Sequence, residues 1–268
     1  MEIQTVSGVA MAGVGCSILL SIGVPVALLI FAGKKYQAKV SSFFIGAGTF
    51  LLFAMVLEQI MHLLVMKVGG LSADSNPWLY YVYAAAAAAV FEETGRIVAM
   101  KSWMKKRFDF SNALMYGIGH GGVEAVLIGG LAGISNLISM VMINSGAIQQ
   151  SLTALPDELK KQTVEQLSTL WTTSAPLFFV SGIERVSAII LHIGLSLLIY
   201  KALQSKKRKI AVLAYGIHFA VDFAAVAGAA YLPVWVIEIS IFAMAAGTLF
   251  AAWRMNADNR EEAGARAE

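Results

Sequence analysis

The chain has 268 residues, of which 58% are hydrophobic and 14% are charged, with a net charge of +3. Soluble proteins carry about 25% charged residues, so this composition excludes an ordinary soluble domain and predicts an integral membrane protein. We expect no nucleic-acid partner, and the single cysteine, Cys16, excludes an internal disulfide.

Seven apolar runs follow in chain order, each long enough for a helix that crosses a bilayer, which needs about 20 residues. No basic residue precedes Lys34, so we expect the first run to be a retained helix and not a cleaved signal peptide. The sequence predicts an all-α, polytopic protein with one membrane domain, 1–256. The runs cover roughly 6–32, 41–66, 78–100, 111–143, 174–200, 210–229 and 232–253.

The longest connection, 144–173, contains Pro156 and a segment, 157–167, with the pattern of a short amphipathic helix on the membrane surface. The last residues, 257–268, are rich in Ala, Glu and Arg and are predicted to form a flexible tail.

Orientation follows from the Lys and Arg residues, which collect on the cytoplasmic side. The 33–40, 101–109 and 201–209 loops carry three, four and five, and the tail after Trp253 carries three. The opposite side has only Lys67, Lys160 and Lys161. We therefore predict the N-terminus outside, the connection 144–173 outside and the C-terminus in the cytoplasm.

Four ionisable residues share one depth in the predicted bilayer. Glu92, His120, His192 and His218 each lie nine residues from a polar boundary residue, on four different helices. Nine residues of helix rise about 13 Å, which places all four near the midplane. Ionisable groups at that depth are costly and usually mark a functional site.

Three motifs contain these residues. In FEETGR (91–96), Arg96 follows Glu92 by four residues and Glu93 by three, so it can hold one carboxylate ionised and leave the other as a base. In YGIGHGGVEA (116–125), His120 and Glu124 share a face among four glycines, which clear space for a substrate or for a tight helix crossing. In GIHFAVDF (216–223), His218 and Asp222 repeat the spacing of four. Each motif also has a purely structural interpretation as an ion pair or a helix contact.

The segment 183–196 contains Arg185 and His192 on one helix face. His192 lies at the shared depth, and its role stays open between the site and the scaffold. His62 is predicted to be interfacial. A second group lies nearer the outside and is interpreted as a charge cluster that holds helices together: Glu58, Glu184, Arg185 and Glu238.

Two chemistries suit these residues. They could bind zinc through three protein ligands and leave a position open for water. Alternatively, Glu92 and His120 could activate water without a metal, while His218 and Asp222 stabilise the oxyanion. The HExxH and GxSxG motifs are absent, and no organic cofactor is expected.

The three motifs resemble those of the CAAX-protease and bacteriocin-processing superfamily of intramembrane peptidases, over about 90–225. The resemblance rests on Glu92-Glu93-x-x-Arg96, Tyr116-x-x-x-His120 and His218-x-x-x-Asp222 in that order. Combined with HGGVE (120–124) and ERVSAIILHIGLS (184–196), these motifs look most like the YhfC-type membrane peptidases, which are related to PrsW. Arg96 follows the second glutamate by three residues and not by four as in the CAAX branch.

The resemblance implies a catalytic core of about 78–229. It implies that Glu92 and His120 activate water, that Glu93 pairs with Arg96, and that His218 and Asp222 bind the oxyanion. His192 is an addition to the basic pattern and keeps zinc open, with candidate ligands His120, His192, His218 and Glu124.

The leading hypothesis is a multi-pass peptidase of the bacterial plasma membrane that cleaves a membrane-embedded or lipid-anchored peptide. A transporter or metal permease that uses the same cluster, or a non-catalytic protein that binds a partner helix, remains an alternative. The oligomeric state is not predicted.

Overall fold

The computed structural model describes residues 3–265, and this part of the chain forms helices and no strands. Helices α2 and α4 run continuously through π-helical turns, and α3 continues into one at Ala99–Trp103. The helices in chain order are α1 Gly8–Tyr36, α2 Val40–Val68, α3 Pro77–Val98, α4 Phe110–Asn144, α5 Ala147–Thr153, α6 Asp157–Thr172, α7 Ala175–Ser205, α8 Arg208–Tyr231, α9 Val234–Met255 and α10 Ala257–Ala265.

Six of the described helices are long and apolar enough to cross a membrane: α1, α2, α4, α7, α8 and α9. Large apolar side chains on them face outward, such as Leu19, Phe44 and Phe250, which are 73%, 65% and 65% exposed. The all-α, multi-pass prediction is therefore confirmed. The third of the seven predicted spans corresponds to α3, which has 22 residues but contains three charged ones toward its C-terminal end. The seventh span and the orientation stay predictions.

The connection 144–173 contains α5 and α6, so the helix expected at 157–167 is present and extends to Thr172. Asp157 and Glu158 lie in its first turn, where negative charge favours helix initiation. Residues 257–265 of the predicted tail form α10, and the flexibility of the tail stays a prediction. Asn259 Nδ2 donates to Gln204 Oε1 of α7 at 3.0 Å, and this contact holds the tail. Residues 266–268 of the predicted tail lie outside the described residues.

The helices form two compact units, 3–24 with 125–186 and 25–124 with 187–265. The unit boundaries fall inside α1, α4 and α7, so the division leaves the single-domain prediction untested. In the first unit, Val6, Val14, Met140 and Leu170 belong to the buried apolar core. Asn144 fixes the start of the chain there, accepting from the Val6 amide at 2.7 Å and donating to the Val6 carbonyl at 2.9 Å.

The second unit contains all the residues of the predicted site. Its helix α3 begins where the sequence favours a start, since Asn76 caps the Leu79 amide at 3.2 Å and Pro77 occupies the first turn. The buried side chain of Asn112, near the start of α4, accepts from the Lys39 amide at 3.1 Å and from Ser42 Oγ at 2.8 Å. These bonds fix the beginnings of α2 and α4 against each other.

Candidate active site

The charged residues of α3 form a buried cluster. Arg96 and Glu93 are fully buried, and Arg96 Nη1 donates to Glu93 Oε1 at 2.6 Å. Arg96 Nη2 lies 3.4 Å from Glu92 Oε2. The guanidinium therefore neutralises part of the charge of both carboxylates, and Glu93 takes the closer contact.

His120 of α4 lies against this cluster. Its Nε2 donates to Glu92 Oε2 at 2.8 Å, and its ring contacts Phe50 of α2 edge-on at 5.4 Å between centroids. The whole side chain is buried, and Nδ1 has no hydrogen-bond partner among the described residues. His120 therefore bonds a buried carboxylate of α3.

The glycines around His120 are contact points between helices. A Cβ on Gly121 would lie 3.0 Å from the Cα of Ile189 on α7, and one on Gly117 would lie 2.9 Å from the Cα of Ile193. A Cβ on Gly119 would collide with the carbonyl oxygen of Phe43 on α2. Small residues permit this close approach. The glycines thus bring α4 and α7 close enough for their histidines to meet, and they do not open space for a substrate.

His192 of α7 lies between the other two histidines, with ring centroids 5.1 Å from His120 and 5.7 Å from His218. Its Nδ1 accepts from Arg96 Nη2 and lies 3.7 Å from Glu92 Oε2. Its Nε2 contacts Glu124 Oε2. This contact with Arg96 defines the tautomer, because a guanidinium can only donate: Nδ1 presents its lone pair, and the proton lies on Nε2, beside Glu124.

His218 and Asp222 of α8 complete the cluster. Nδ1 of His218 donates to Glu93 Oε1 at 2.8 Å, and its Nε2 lies 3.4 Å from Asp222 Oδ2 and 3.9 Å from Glu92 Oε1. The His218 ring is buried, whereas the Asp222 side chain is 28% exposed and is the most accessible member.

The structure therefore brings every predicted site residue into one cluster in the second unit, formed by α3, α4, α7 and α8. Helices α3 and α8 pack closely against each other. Proximity does not assign the predicted roles, which stay predictions. The members are Glu92, Glu93, Arg96, His120, Glu124, His192, His218 and Asp222.

One group among the described residues has donor atoms arranged to hold a metal ion: Glu92, His120 and His192 are all buried, with one ligand atom of each within 4.8 Å of the others. Tetrahedral zinc with bonds of about 2.0–2.1 Å separates its ligand atoms by roughly 3.3 Å. The distances from Glu92 Oε2 to His120 Nε2 and to His192 Nδ1, 2.8 and 3.7 Å, lie on either side of that value.

Charge balance also suits a cation. Four carboxylates, those of Glu92, Glu93, Glu124 and Asp222, meet one arginine in the cluster. Buried carboxylates are tolerated only when they are paired or coordinate a metal. The residues therefore fit a divalent ion once His120 carries its proton on Nδ1 instead of Nε2 and Arg96 Nη2 no longer bonds His192 Nδ1.

This triad differs in composition from the predicted ligand set. It includes Glu92, which the sequence analysis did not name as a metal ligand, and it lacks Glu124 and His218, which were named. Glu124 contacts Nε2 of His192, on the far side of the ring. The signal that could have added Glu92 to the candidate ligands was its depth, which it shares with His120 and His192.

The outer charged residues form separate contacts. Glu58 lies 3.2 Å from His62 Nε2, and Tyr83 OH lies 2.9 Å from His62 Nδ1. In the first unit, Arg185 pairs with Glu184. The interfacial position of His62 and the predicted outer cluster, which includes Glu238, stay predictions.

Comparison with known proteins gives a family for this arrangement. A model of the family described as YhfC intramembrane metalloprotease matches residues 17–244. The chain belongs to the YhfC family. The uncharacterized membrane protein YhfC of Bacillus subtilis (strain 168) is 37% identical over 185 residues, which cover 68% of this chain and 71% of that protein. No solved structure matches.

Of the resemblance drawn from the motifs, the family model confirms membership in the YhfC family. The match extends over α2, α3, α4, α7 and α8, and thus includes every residue of the buried cluster. Together with the six apolar helices, it supports a multi-pass protein of the bacterial plasma membrane.

Proposed function

We propose that this YhfC family member is an intramembrane metallopeptidase that hydrolyses a peptide bond in a membrane-embedded or lipid-anchored substrate. The observation that carries the proposal is the buried group of Glu92, His120 and His192. Two imidazoles and one carboxylate form the ligand set of several zinc peptidases, with one position left for water. The description of the family agrees with this chemistry.

Glu92, His120 and His192 would hold the ion, which we propose to be zinc. Bound zinc would supply a Lewis acid and an activated water. Glu124 would orient His192, because its carboxylate fixes the Nε2 proton and leaves Nδ1 free to coordinate. Arg96 would release Nδ1 and keep its 2.6 Å contact with Glu93.

His218 is suited to bind the oxygen that gains charge during hydrolysis. Glu93 accepts from its Nδ1, and Nε2 lies toward Asp222 and Glu92 at 3.4 and 3.9 Å. A proton held at Nε2 could be donated to a substrate carbonyl or to the leaving amine. Asp222, as the most exposed member, would border the approach of the substrate.

The metal-free mechanism requires the same pair, since Glu92 and His120 are in hydrogen-bond contact at 2.8 Å. The position of His192 favours the metal, because the metal-free mechanism gives it no part in activating water or binding the oxyanion. We also propose that the YhfC family is related to the CAAX-protease and PrsW-like peptidases, on the order of the three motifs.

Metal content tests the site directly. The protein would be purified in detergent without affinity resins that contain metal, and zinc would be measured by mass spectrometry. We expect about one zinc per chain, lost in Glu92→Gln, His120→Ala and His192→Ala. His62→Ala is the matched control, because this half-buried histidine contacts Glu58 and Tyr83. Equal loss in the control, or no zinc in the wild type, would overturn the metal site.

Cleavage can be tested before a substrate is identified. New N-termini of membrane proteins would be compared by mass spectrometry between cells that produce the wild type and cells that produce Glu92→Gln at equal level. We expect a small set of termini within or beside apolar segments that appears only with the wild type and disappears with a zinc chelator. Metal-dependent ion uptake without any such terminus would favour the permease.

A further inference from the structure

Two adjoining grooves lie at the basic ends of α3, α7 and α8, away from the buried cluster. The first, of about 260 Å³, is lined by Met100, Lys101, Lys105, Phe108 and Leu203. Its walls combine two ammonium groups with apolar side chains.

The second groove has a volume of about 300 Å³, and its lining includes Ile97, Lys101, Leu203, Lys206 and Arg208. Lys101 and Leu203 line both grooves, so the two adjoin. Together they place four basic side chains from two chain segments, 101–105 and 206–208, beside apolar side chains.

These four cationic side chains face solvent. All of them are exposed, and none forms an ion pair with a carboxylate in the part of the chain that the structure describes. Two other lysines make contacts within the protein: Lys201 donates to Gln204, and Lys35 lies over the ring of Phe31.

Lys206 has a further unusual property, because its backbone is left-handed, with φ +56°. The position just after a helix is usually glycine when it adopts this conformation, since a Cβ is disfavoured there. A lysine at that position keeps a long cationic side chain beside the groove at a conformational cost.

We propose that the two grooves bind the phosphate headgroup of an anionic phospholipid, with its acyl chain along the apolar wall. Basic pockets between transmembrane helices recognise such headgroups. The flanking helices α7 and α8 are apolar enough to lie in the bilayer. Trp103, next to these residues and 46% exposed, is a residue type that membrane proteins place at the interface. A free phosphate ion would use the cations but not the apolar wall.

Native mass spectrometry of the detergent-purified protein tests this site. The protein would be incubated with equal amounts of dioleoyl phosphatidylglycerol and dioleoyl phosphatidylcholine, and the bound lipid counted. The test variant combines Lys101→Gln, Lys105→Gln and Lys206→Gln. The control combines Lys34→Gln, Lys35→Gln and Lys39→Gln, which removes the same charge from another loop of the predicted cytoplasmic side.

We expect the wild type and the control to retain phosphatidylglycerol in preference to phosphatidylcholine. The test variant should bind it about tenfold to a hundredfold more weakly, because each cation near an anionic headgroup contributes to binding. Replacing the same three lysines by arginine should preserve binding. Excess inorganic phosphate should not displace the lipid.

Three results would overturn the proposal: no preference for the anionic lipid in the wild type, equal losses in the test and control variants, or full displacement by phosphate. Thermal unfolding in detergent checks that the variants fold. If the triple variant does not fold, Lys101→Gln alone decides, because Lys101 lines both grooves; it must weaken binding more than Lys39→Gln does.

Discussion

Replacing Glu124 separates two roles for this residue, metal ligand or support for a ligand. The structure places its carboxylate against Nε2 of His192, on the far side of the ring from Glu92 Oε2, which is 3.7 Å from Nδ1. A residue in that position would orient the histidine and would not touch the ion. Glu124→Ala should therefore weaken zinc binding without abolishing it.

The magnitude follows from the type of contact. Loss of a partner that orients a metal-bound histidine lowers metal affinity about 10- to 100-fold, which corresponds to roughly 1.4–2.8 kcal/mol. Glu124→Gln keeps a carbonyl that can accept the Nε2 proton and loses only the charge, so its effect should be smaller. Charge-assisted hydrogen bonds are about twice as strong as neutral ones.

Zinc affinity would be measured by competition with a chromophoric chelator in detergent, for the wild type, Glu124→Ala, Glu124→Gln and Glu92→Gln. His62→Ala, which removes a half-buried histidine in contact with Glu58 and Tyr83, serves as the control. A Glu124→Ala affinity as low as that of Glu92→Gln would show that Glu124 is a ligand. An affinity equal to that of the wild type would show that the Glu124–His192 contact does not support the site.

Three further predictions concern the scaffold and its orientation. Arg96→Gln leaves the buried Glu93 without its cation and should lower the stability in detergent by about 3–5 kcal/mol, whereas exposed Lys105→Gln should leave the unfolding midpoint unchanged. Gly46→Ala should lower the unfolding midpoint, because its Cβ would strike the Tyr116 carbonyl oxygen. Gly48→Ala should leave the midpoint unchanged, because the space around Gly48 is open. Equal midpoints for the two variants would contradict the predicted close packing of α2 and α4. In a Cys16→Ser background, a membrane-impermeant maleimide should label Lys160→Cys in intact cells and Lys105→Cys only after permeabilisation, and the reverse would invert the predicted orientation.

The sequence by itself determined the class of the protein and the members of its cluster. Apolar runs of bilayer length are local properties of the chain, so α1, α2, α4, α7, α8 and α9 could be predicted from composition. Depth is also local, because it depends only on the residues between a side chain and its helix end. For this reason Glu92, His120, His192 and His218 could be assigned to one layer before any helix was packed.

Only the tertiary structure decided which of these side chains contact one another. Depth gives only the height of a side chain in the bilayer and leaves the rotation and the neighbours of each helix undetermined. It therefore could not predict that Glu92 lies beside Nδ1 of His192 and Glu124 beside Nε2. Contacts between glycines and neighbouring backbones set the rotation of α4 toward α2 and α7, and they place Glu124 on the far nitrogen of His192. The pairing of Glu93 with both Arg96 and His218 likewise depends on the packing of α3 against α8, which no local pattern specifies.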